Sequence, residues 1–328
     1  MKALVTGGAG FIGSNLVDAL LAREDEVVVL DNLATGRRSN LDSALPRGAR
    51  LVVEDIRDAA IVRSLLEQER PEVVFHLAAQ MDVRVSAAKP AYDAEVNVIG
   101  TINMLEAARL CGARRFVFAS TGGAIYGETD LLPTPEDSEI NSEAPYGQAK
   151  YSAEGYCDLW GRLHGLSAVS LRFGNVYGPR QDPLGEAGVV AIFCGKLRDR
   201  GQPTVFGDGL QTRDYIYVEE VVNAALIASA NEVTGPFNVG TGKESSVLDL
   251  VEVLRKLGRE MKIIGVNDPF EPQFAPARAG EVQRSSLDPR KSREVLGFDA
   301  RVGLEDGMRR TLEWVVAEHD AQLRAQAS

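Results

Sequence analysis

The sequence predicts an α/β fold: a doubly wound parallel sheet followed by a smaller C-terminal lobe. Three observations support this prediction. Short apolar runs alternate with helical runs through the first half of the chain, which is typical of a parallel sheet covered on both faces. A glycine-rich turn joins the first predicted strand to the first helix, and a carboxylate ends the second predicted strand.

The glycine-rich turn covers residues 6–13 and has glycines at three-residue spacing, Gly7, Gly10 and Gly13. The first would allow a tight turn, the second would let a pyrophosphate approach the backbone, and the third would let the helix lie close to the sheet. The helix N-terminus would add free N–H groups and the positive end of its dipole. The turn therefore predicts a dinucleotide site in a Rossmann-type sheet.

The carboxylate at the end of the second strand is Asp31, 18 residues after Gly13. An acid at this position accepts hydrogen bonds from the adenosine ribose hydroxyls and repels a 2′-phosphate, which favours NAD over NADP. Arg37 and Arg38 are nearby cations, and we assign them to a solvated loop.

The remaining elements follow from apolar periodicity. Strands are predicted at residues 2–5, 26–31, 50–53, 72–77, 115–119 and 168–172, and helices at 14–22, 58–69, 92–110 and 146–164. Asp58 and Gly112 are expected to cap helix ends. We predict a Rossmann domain formed by residues 1–174 plus about 214–239, and a substrate-binding domain formed by about 175–213 plus 240–328.

Composition narrows the class of partner. The 328 residues have a net charge of −11, which argues against a nucleic acid or an anionic membrane surface. Three cysteines without a close pair and a first strand that begins at residue 2 favour a cytoplasmic protein without a signal peptide. Three histidines and no cysteine pair predict no metal site.

Two groups of side chains indicate chemistry. Tyr146 and Lys150 are four residues apart and share a helix face. A cation beside a phenol lowers the pKa of the phenol, so the pair predicts a group that exchanges a proton near neutral pH. Either Ser120 or Thr121, at the end of the fifth strand, could supply a hydroxyl to the oxygen that is oxidised.

These motifs continue over nearly the whole chain, which resembles the extended short-chain dehydrogenases/reductases, and most of all the UDP-glucose 4-epimerases. The matching segments are residues 6–13, 31–33, 55–56, 76–79, 120–121, 171–179, 213–215 and 237–240, with Tyr146 and Lys150. Related dehydratases and decarboxylases place a carboxylate shortly after the strand-end hydroxyl. Here Thr121 is followed by Gly122, Gly123 and Ala124, which favours epimerisation.

The resemblance implies a role for each matching residue. Catalysis would use Tyr146 as the acid/base, Lys150 beside it, and Thr121 rather than Ser120 at the substrate hydroxyl. The residues implied to bind NAD are Gly7, Gly10, Phe11, Ile12, Gly13, Asp31, Asn32, Gly36, Asp55, Ile56, Leu77, Ala78, Ala79, Asn97, Tyr146 and Lys150. Those implied to bind a UDP-sugar are Thr121, Tyr146, Asn175, Val190, Thr204, Phe206, Arg213, Arg278 and Ser285.

The implied activity interconverts UDP-galactose and UDP-glucose by transient oxidation at sugar carbon 4. Ser285 stands where a bulky tyrosine would exclude an N-acetyl group, so the N-acetylated pair is expected to react as well. The resemblance also implies a homodimer, and the helical stripe of Ala149, Ala153, Tyr156 and Trp160 is its expected contact, with core packing as the alternative. Alternative functions are another nucleotide-sugar epimerase or reductase, for example one acting on UDP-glucuronate, and a catalytically silent NAD-binding regulator.

Overall fold

The computed structural model describes residues 1–183, 188–278 and 280–327. Its strands are β1 Lys2–Thr6, β2 Glu26–Leu30, β3 Arg50–Val52, β4 Val73–His76, β5 Arg115–Thr121, β6 Ala168–Phe173, β7 Asn175–Tyr177, β8 Thr204–Phe206, β9 Thr212–Arg213, β10 Tyr215–Tyr217, β11 Gly235–Val239, β12 Ser245–Ser246 and β13 Gln273–Ala275. Its helices are α1 Phe11–Ala22, α2 Ala59–Glu69, α3 Val83–Ala88, α4 Pro90–Ala94, α5 Gly100–Cys111, α6 Gly122–Ile125, α7 Pro145–His164, α8 Val189–Arg198, α9 Val218–Ala230, α10 Val247–Glu260 and α11 Leu304–Ala327.

A seven-stranded sheet forms the centre of the fold, in the order β11-β6-β5-β4-β1-β2-β3, and every neighbouring pair is parallel. Thr6 lies opposite Leu30 on one side and His76 on the other. The carboxyl ends of these strands therefore meet at one edge, which is where ligands bind in open α/β sheets. The predicted α/β fold is confirmed.

Both faces of the sheet are buried, which explains the continuous apolar runs. Along β1, Ala3 and Val5 belong to one hydrophobic cluster, which includes side chains of α1 and α9. Leu4 belongs to a second cluster, with side chains of α2, α5 and α7. Successive side chains of a strand point to opposite faces, so a strand buried on both faces lacks polar alternation.

Besides the central sheet, the C-terminal half contains three separate two-stranded sheets. β7 pairs with β10 and β8 with β13, both parallel, and β9 pairs antiparallel with β12. β11 returns to the central sheet beside β6. The division into two domains stays a prediction. Among the described residues, no helix combines the length and apolar character that a membrane crossing needs.

The predicted helix caps are confirmed, and one predicted helix is interrupted. Asp58 accepts hydrogen bonds from the backbone of Ala60 and Ile61, each at 3.0 Å, and Gly112 ends α5 in the left-handed conformation (φ 78°). The helix predicted over residues 92–110 is divided into α4, a π-helical turn at Glu95–Ile99, and α5. A π turn rotates the following residues about the helix axis, and such turns are frequent at functional sites.

Half of the apolar stripe predicted on α7 is buried inside the chain and is not available to a second subunit. Ala149 and Ala153 are buried within the chain (6% and 0% exposed), so the prediction that they contact a second subunit is wrong. The same helical face that carries them packs on the sheet. Tyr156 and Trp160 are half-buried, and the Trp160 indole donates to Glu106 at 3.3 Å.

Candidate active site

The turn between β1 and α1 forms a cradle made of backbone atoms. Gly7 has a φ of 68°, and a Cβ there would lie 2.7 Å from the backbone nitrogen of Ala78. A Cβ on Gly13 would overlap the carbonyl oxygen of Gly7. Gly10 precedes α1 without any side-chain cap, so the N–H groups of Phe11 and Ile12 are available to an anion. This cradle fits the pyrophosphate of a dinucleotide.

Asp31 directly follows β2 at the edge of this cradle and is buried (7% exposed). Its Oδ2 accepts from the backbone of Ala9 at 2.9 Å, and its Oδ1 accepts from that of Leu33 at 2.8 Å. Gly36 lies against the carboxylate, because a Cβ there would be 2.8 Å from Oδ1. Burial raises the pKa of Asp31, opposed by the two backbone hydrogen bonds. The arrangement fits an acid that accepts from ribose hydroxyls.

The residues predicted to lie beside the adenine are in contact with one another and with their neighbours. The amide of Asn32 donates to Asp55 Oδ2 at 2.9 Å, and the Arg57 guanidinium binds the same carboxylate at 3.0 and 2.8 Å. The hydrogen bond from Arg57 lowers the pKa of Asp55 to about 2. Ile56 is buried and lies against Gly100 at the start of α5. Asp55 therefore joins the Asn32 amide to the Arg57 guanidinium at this edge of the sheet.

The nicotinamide side depends on a buried hydrogen-bond chain that the motifs did not reveal. Thr6 Oγ1 lies 2.7 Å from His76 Nδ1 and accepts from the backbone of Leu77 and Ala78 at 3.2 and 3.1 Å. His76 Nε2 lies 3.0 Å from Thr101 Oγ1. Burial lowers the pKa of His76 to about 3, and the charge of Lys150 acts in the same direction. A neutral imidazole thus holds the Thr6 hydroxyl that binds the backbone of Leu77 and Ala78.

Asn97 lies in the π-helical turn, and its amide holds the same segment. Its Oδ1 accepts from the backbone nitrogen of Gln80 at 3.0 Å, and its Nδ2 donates to the Gln80 carbonyl at 2.9 Å. Nδ2 also donates to Asp93 at 3.0 Å. The Asn97 side chain therefore holds the backbone of Gln80, which lies in the segment that follows β4.

Tyr146 and Lys150 lie in the first turns of α7, as predicted. The Lys150 ammonium is buried and lies 4.6 Å from the centroid of the Phe118 ring; burial lowers the pKa of Lys150 to about 8. The expectation that Lys150 lowers the pKa of Tyr146 is wrong for the protein by itself. Burial raises the pKa of Tyr146, and the charge of Asp93 raises it further, because both disfavour a phenolate.

The structure distinguishes the two candidate hydroxyls. Ser120 is buried, and its Oγ donates to Glu154 at 2.5 Å. Thr121 is half-buried and makes no capping bond to α6, which follows it. A Cβ on Gly147 would overlap the carbonyl oxygen of Ala124, so the turn after Thr121 touches the start of α7. The Ser120 hydroxyl is thus bound to Glu154, whereas that of Thr121 makes no capping bond.

Of the two predicted diphosphate-binding arginines, Arg213 lies in β9 and Arg278 follows β13. The Arg278 guanidinium lies 4.0 Å from the centroid of the Phe206 ring, and Phe206 is paired with Ala275 between β8 and β13. Arg213, in β9, lies 3.5 Å from Glu281. Arg278 is thus placed beside a predicted substrate residue, whereas Arg213 is beside a carboxylate, and Thr204 is exposed at the start of β8.

Val190 lies in α8 and is 1% exposed within the main hydrophobic cluster. The sequence pattern did not separate this core position from a substrate contact. Its side chain packs inside the chain, which leaves only its backbone for a ligand.

The segment containing Ser285 approaches the turn that follows Thr121. The backbone nitrogen of Leu287 donates to buried Asp214 at 3.2 Å, and the Leu287 side chain would lie 2.5 Å from a Cβ on Gly122. Ser285 is half-buried two residues earlier. The amide of Asn175 lies on the other side of this turn, 3.4 Å from a Cβ on Gly123.

Comparison with known proteins agrees with this geometry. The model of the NAD dependent epimerase/dehydratase family matches residues 3–240. The chain belongs to this family.

Individual family members are similar over nearly the whole chain. A UDP-glucose 4-epimerase of Mycolicibacterium smegmatis is 45% identical over 316 residues, which is 96% of this chain and 98% of that protein. The structure of a Thermotoga maritima UDP-glucose 4-epimerase with UDP-glucose has a TM-score of 0.91 and 42% identity, covering 97% and 100% of the two chains. A Thermus thermophilus UDP-glucose 4-epimerase in complex with NAD has a TM-score of 0.87 and 42% identity, covering 96% and 99%.

In this epimerase/dehydratase family member, the residues that sequence reasoning missed are mostly buried polar groups. Arg172 binds Glu154 at 2.7 Å and donates to Tyr126 at 2.7 Å, and His76 and Asp93 belong to the hydrogen-bond network of the predicted nicotinamide side. Arg172 and His76 stand inside matching segments, but polarity within an apolar strand was the only signal of their roles.

Proposed function

We propose that the chain is an NAD-dependent UDP-glucose 4-epimerase that interconverts UDP-galactose and UDP-glucose. The observation that supports this most directly is the contact between α6 and the start of α7. It joins the turn after Thr121 to the start of the helix that carries Tyr146 and Lys150. The turn after Thr121 contains Gly122, Gly123 and Ala124, so it offers no carboxylate for elimination.

In this proposal the chain's own groups handle the proton and the sugar. NAD, held by the backbone cradle around Gly7, Gly10 and Gly13, would supply the hydride-transfer chemistry that a transient oxidation at sugar carbon 4 requires. Tyr146 takes the proton of the 4-hydroxyl and later gives it back, and Thr121 donates a hydrogen bond to the same oxygen. Arg213 and Arg278 hold the diphosphate, since guanidinium groups match phosphate oxygens in pairs. Binding energy spent on the UDP part leaves the 4-keto sugar free to turn over.

The proposed function is tested by incubating the purified protein with separate UDP-hexoses and identifying the products. We expect UDP-galactose and UDP-glucose to interconvert without net oxidation. Conversion of UDP-glucuronate alone would favour the alternative epimerase. NAD binding without turnover of any sugar would favour a silent regulator, since a fold by itself does not establish catalysis.

The proposed cofactor leads to a prediction about the basic loop after β2. Arg37 is paired with Asp182, and the carboxylate of Asp31, the proposed ribose ligand, is buried and would repel a 2′-phosphate. We therefore expect the purified protein to retain NAD, or to bind NAD far better than NADP. Extraction and chromatography of the bound nucleotide measure this. Recovery of NADP would contradict the role of Asp31 and direct attention to Arg37 and Arg38.

The proposed substrate range depends on Ser285. We expect wild-type protein to convert both UDP-glucose and UDP-N-acetylglucosamine, because a serine leaves room for an acetamido group. The Ser285→Tyr variant should lose roughly 10-fold or more of its N-acetylated activity, since overfilling a packed site costs roughly 1–3 kcal/mol. Its activity toward UDP-glucose is the internal reference.

A matched control adds the same ring two residues earlier, at exposed Gln283. Gln283→Tyr should leave both activities unchanged. A wild-type protein that converts UDP-galactose but not UDP-N-acetylglucosamine would show that Ser285 does not set this selectivity.

We also propose a homodimer and a cytoplasmic location. Exposed apolar side chains lie on α7 at Tyr151 and Leu163 and beside α5 at Ile99 and Leu110, each more than 40% exposed. Burying them between two copies would remove apolar surface from water. We expect a dimer by sedimentation at micromolar protein, and Leu163→Asp should weaken it more than Leu210→Asp, at a 62% exposed leucine of the C-terminal half. A wild-type monomer would contradict the proposal.

A further inference from the structure

Asp214 is a buried carboxylate that the proposed mechanism does not use. It lies between β9 and β10 and is 1% exposed. Its Oδ1 accepts from the backbone nitrogen and the hydroxyl of Thr241 at 2.9 and 2.6 Å. Its Oδ2 accepts from the backbone nitrogens of Gly242 and Leu287 at 3.0 and 3.2 Å. Four neutral donors from two segments therefore compensate the burial of this carboxylate.

The backbone around Asp214 is packed as closely as its side chain. Its carbonyl oxygen accepts from the backbone nitrogen of Asn175 at 2.7 Å. A Cβ on Gly174 would lie 2.8 Å from the same oxygen, and a Cβ on Gly240 would lie 2.5 Å from Oδ2. Asp214 thus joins the segments that follow β6 and β11 to the segment that contains Leu287.

The segment that contains Leu287, residues 283–288, contacts the turn that follows Thr121. The Leu287 side chain is 1% exposed and would lie 2.5 Å from a Cβ on Gly122. The ends of the segment are held by backbone hydrogen bonds of 2.8 to 2.9 Å, which join Thr212 to Gln283, Thr134 to Ser286, and Thr134 to Asp288. The Leu287 N–H, in contrast, is held by the Asp214 carboxylate. This bond therefore sets how closely the segment approaches the turn.

We propose that Asp214 is a positioning residue that acts through Leu287. Its carboxylate holds segment 283–288 at a fixed distance from the turn that follows Thr121, and so fixes the position of Ser285 relative to that turn. Side chains that touch a substrate need such support, because a displacement of about 1 Å can cost about 100-fold in rate. The role of the segment toward a sugar rests on the proposed function. The anchoring of Leu287 by Asp214 is a property of the ligand-free protein.

A different route from Asp214 to the substrate would pass through Arg213, its neighbour in the chain. The Arg213 guanidinium donates to the carbonyl of Thr212 at 2.8 Å and lies 3.5 Å from Glu281. Neither contact involves Asp214, and the pairing of β9 with β12 holds the backbone of Arg213 independently. Loss of the Asp214 side chain should therefore leave Arg213 in place, and with it the affinity for UDP.

The variant D214A removes the acceptor of all four donors. We expect amide exchange at Leu287, followed by NMR in the ligand-free protein, to become roughly 10-fold faster or more, because its N–H loses a buried acceptor. Turnover of UDP-galactose should fall roughly 10- to 100-fold, while the affinity for UDP stays within about threefold of wild type.

Two matched controls separate this role from general stability. Glu220 is also buried (7% exposed) and accepts from the backbone nitrogens of Arg301 and Val302, each at 2.6 Å, in a segment without predicted site residues. Glu220→Ala should leave Leu287 exchange and turnover within about twofold of wild type. Thr241→Val removes the hydroxyl bond to Oδ1, keeps the bond from Oδ2 to Leu287, and should behave like Glu220→Ala.

Exchange and turnover are compared in the same variant. Faster exchange at Leu287 with normal turnover would overturn the proposal, and so would lowered turnover with unchanged exchange. A loss of UDP affinity equal to the loss of turnover would show that Asp214 acts through Arg213, which also overturns it. A wild-type protein that converts no UDP-sugar would overturn the proposed function, whereas the exchange rate in D214A would still decide whether Asp214 anchors Leu287.

If D214A does not fold, D214N decides. One amide oxygen accepts at most two hydrogen bonds, so at least one of the three backbone N–H groups loses its acceptor. Exchange at Thr241, Gly242 and Leu287 identifies which one. Lowered turnover with faster exchange at Leu287, or normal turnover with Leu287 still protected, supports the proposal. Lowered turnover with Leu287 still protected, or normal turnover with faster exchange, overturns it.

Discussion

Tyr146→Phe should lower turnover of UDP-galactose by at least ~100-fold, the usual scale for removing an acid/base group. The change deletes one oxygen and keeps the ring in the first turn of α7. Binding of NAD and of UDP-sugar should persist, since the cradle and the arginines are untouched. Single-turnover kinetics and equilibrium binding measure the two effects separately.

Tyr151→Phe is the matched control for this prediction. Tyr151 lies on the same helix and is 41% exposed, so loss of its hydroxyl should leave turnover within twofold of wild type on the scale of ordinary surface substitutions. Near-normal turnover by Tyr146→Phe would show that another group exchanges the proton. An equal loss in both variants would indicate damage to α7 instead.

The order of elements was predictable because apolar runs and glycine-rich turns are local signals. The first β–α unit needs only Gly7, Gly10 and Gly13, whose spacing matches the cradle that the structure shows. The π-helical turn at Glu95–Ile99 was not predictable in the same way. One residue added to a helical turn leaves no compositional trace, and its effect is to turn Asn97 toward Gln80.

The positions of candidate site residues were predictable at strand ends, as with Asp31 directly after β2 and Thr121 at the end of β5. The surroundings and the pKa of a side chain were not predictable where they depend on burial in the folded chain. Periodicity places Ala149 and Ala153 on one apolar helix face, but it does not show whether that face packs within the chain or against a second subunit. In the structure that face is buried in the core. Similarly, the spacing of Tyr146 and Lys150 is right, but the sign of the phenol's pKa shift depends on desolvation and on Asp93.

Arg172 and Glu154 form a buried ion pair that ties α7 to β6 beneath the site. Their side chains are 4% and 7% exposed, and Arg172 Nη2 lies 2.7 Å from Glu154 Oε2. Burial alone would lower the pKa of Arg172, but the hydrogen bond and charge of Glu154 outweigh it and raise that pKa. The intrinsic pKa of a guanidinium is high enough that it stays charged in proteins even without a partner, so a variant that lacks the carboxylate leaves a buried positive charge.

Glu154→Gln should consequently lower the free energy of unfolding by about 3–5 kcal/mol, because it leaves a buried charge without its partner. Chemical denaturation of the cofactor-free protein measures this. Asp158→Asn breaks an exposed pair with Arg162 one turn later on α7 and should cost no more than about 1 kcal/mol. Replacing both buried partners, as Glu154→Leu with Arg172→Met, should recover most of the loss, since a well-packed apolar pair is often as stable as the ion pair. A Glu154→Gln variant no less stable than Asp158→Asn would mean that solvent reaches Arg172, and that the pair positions Ser120 without stabilising the fold.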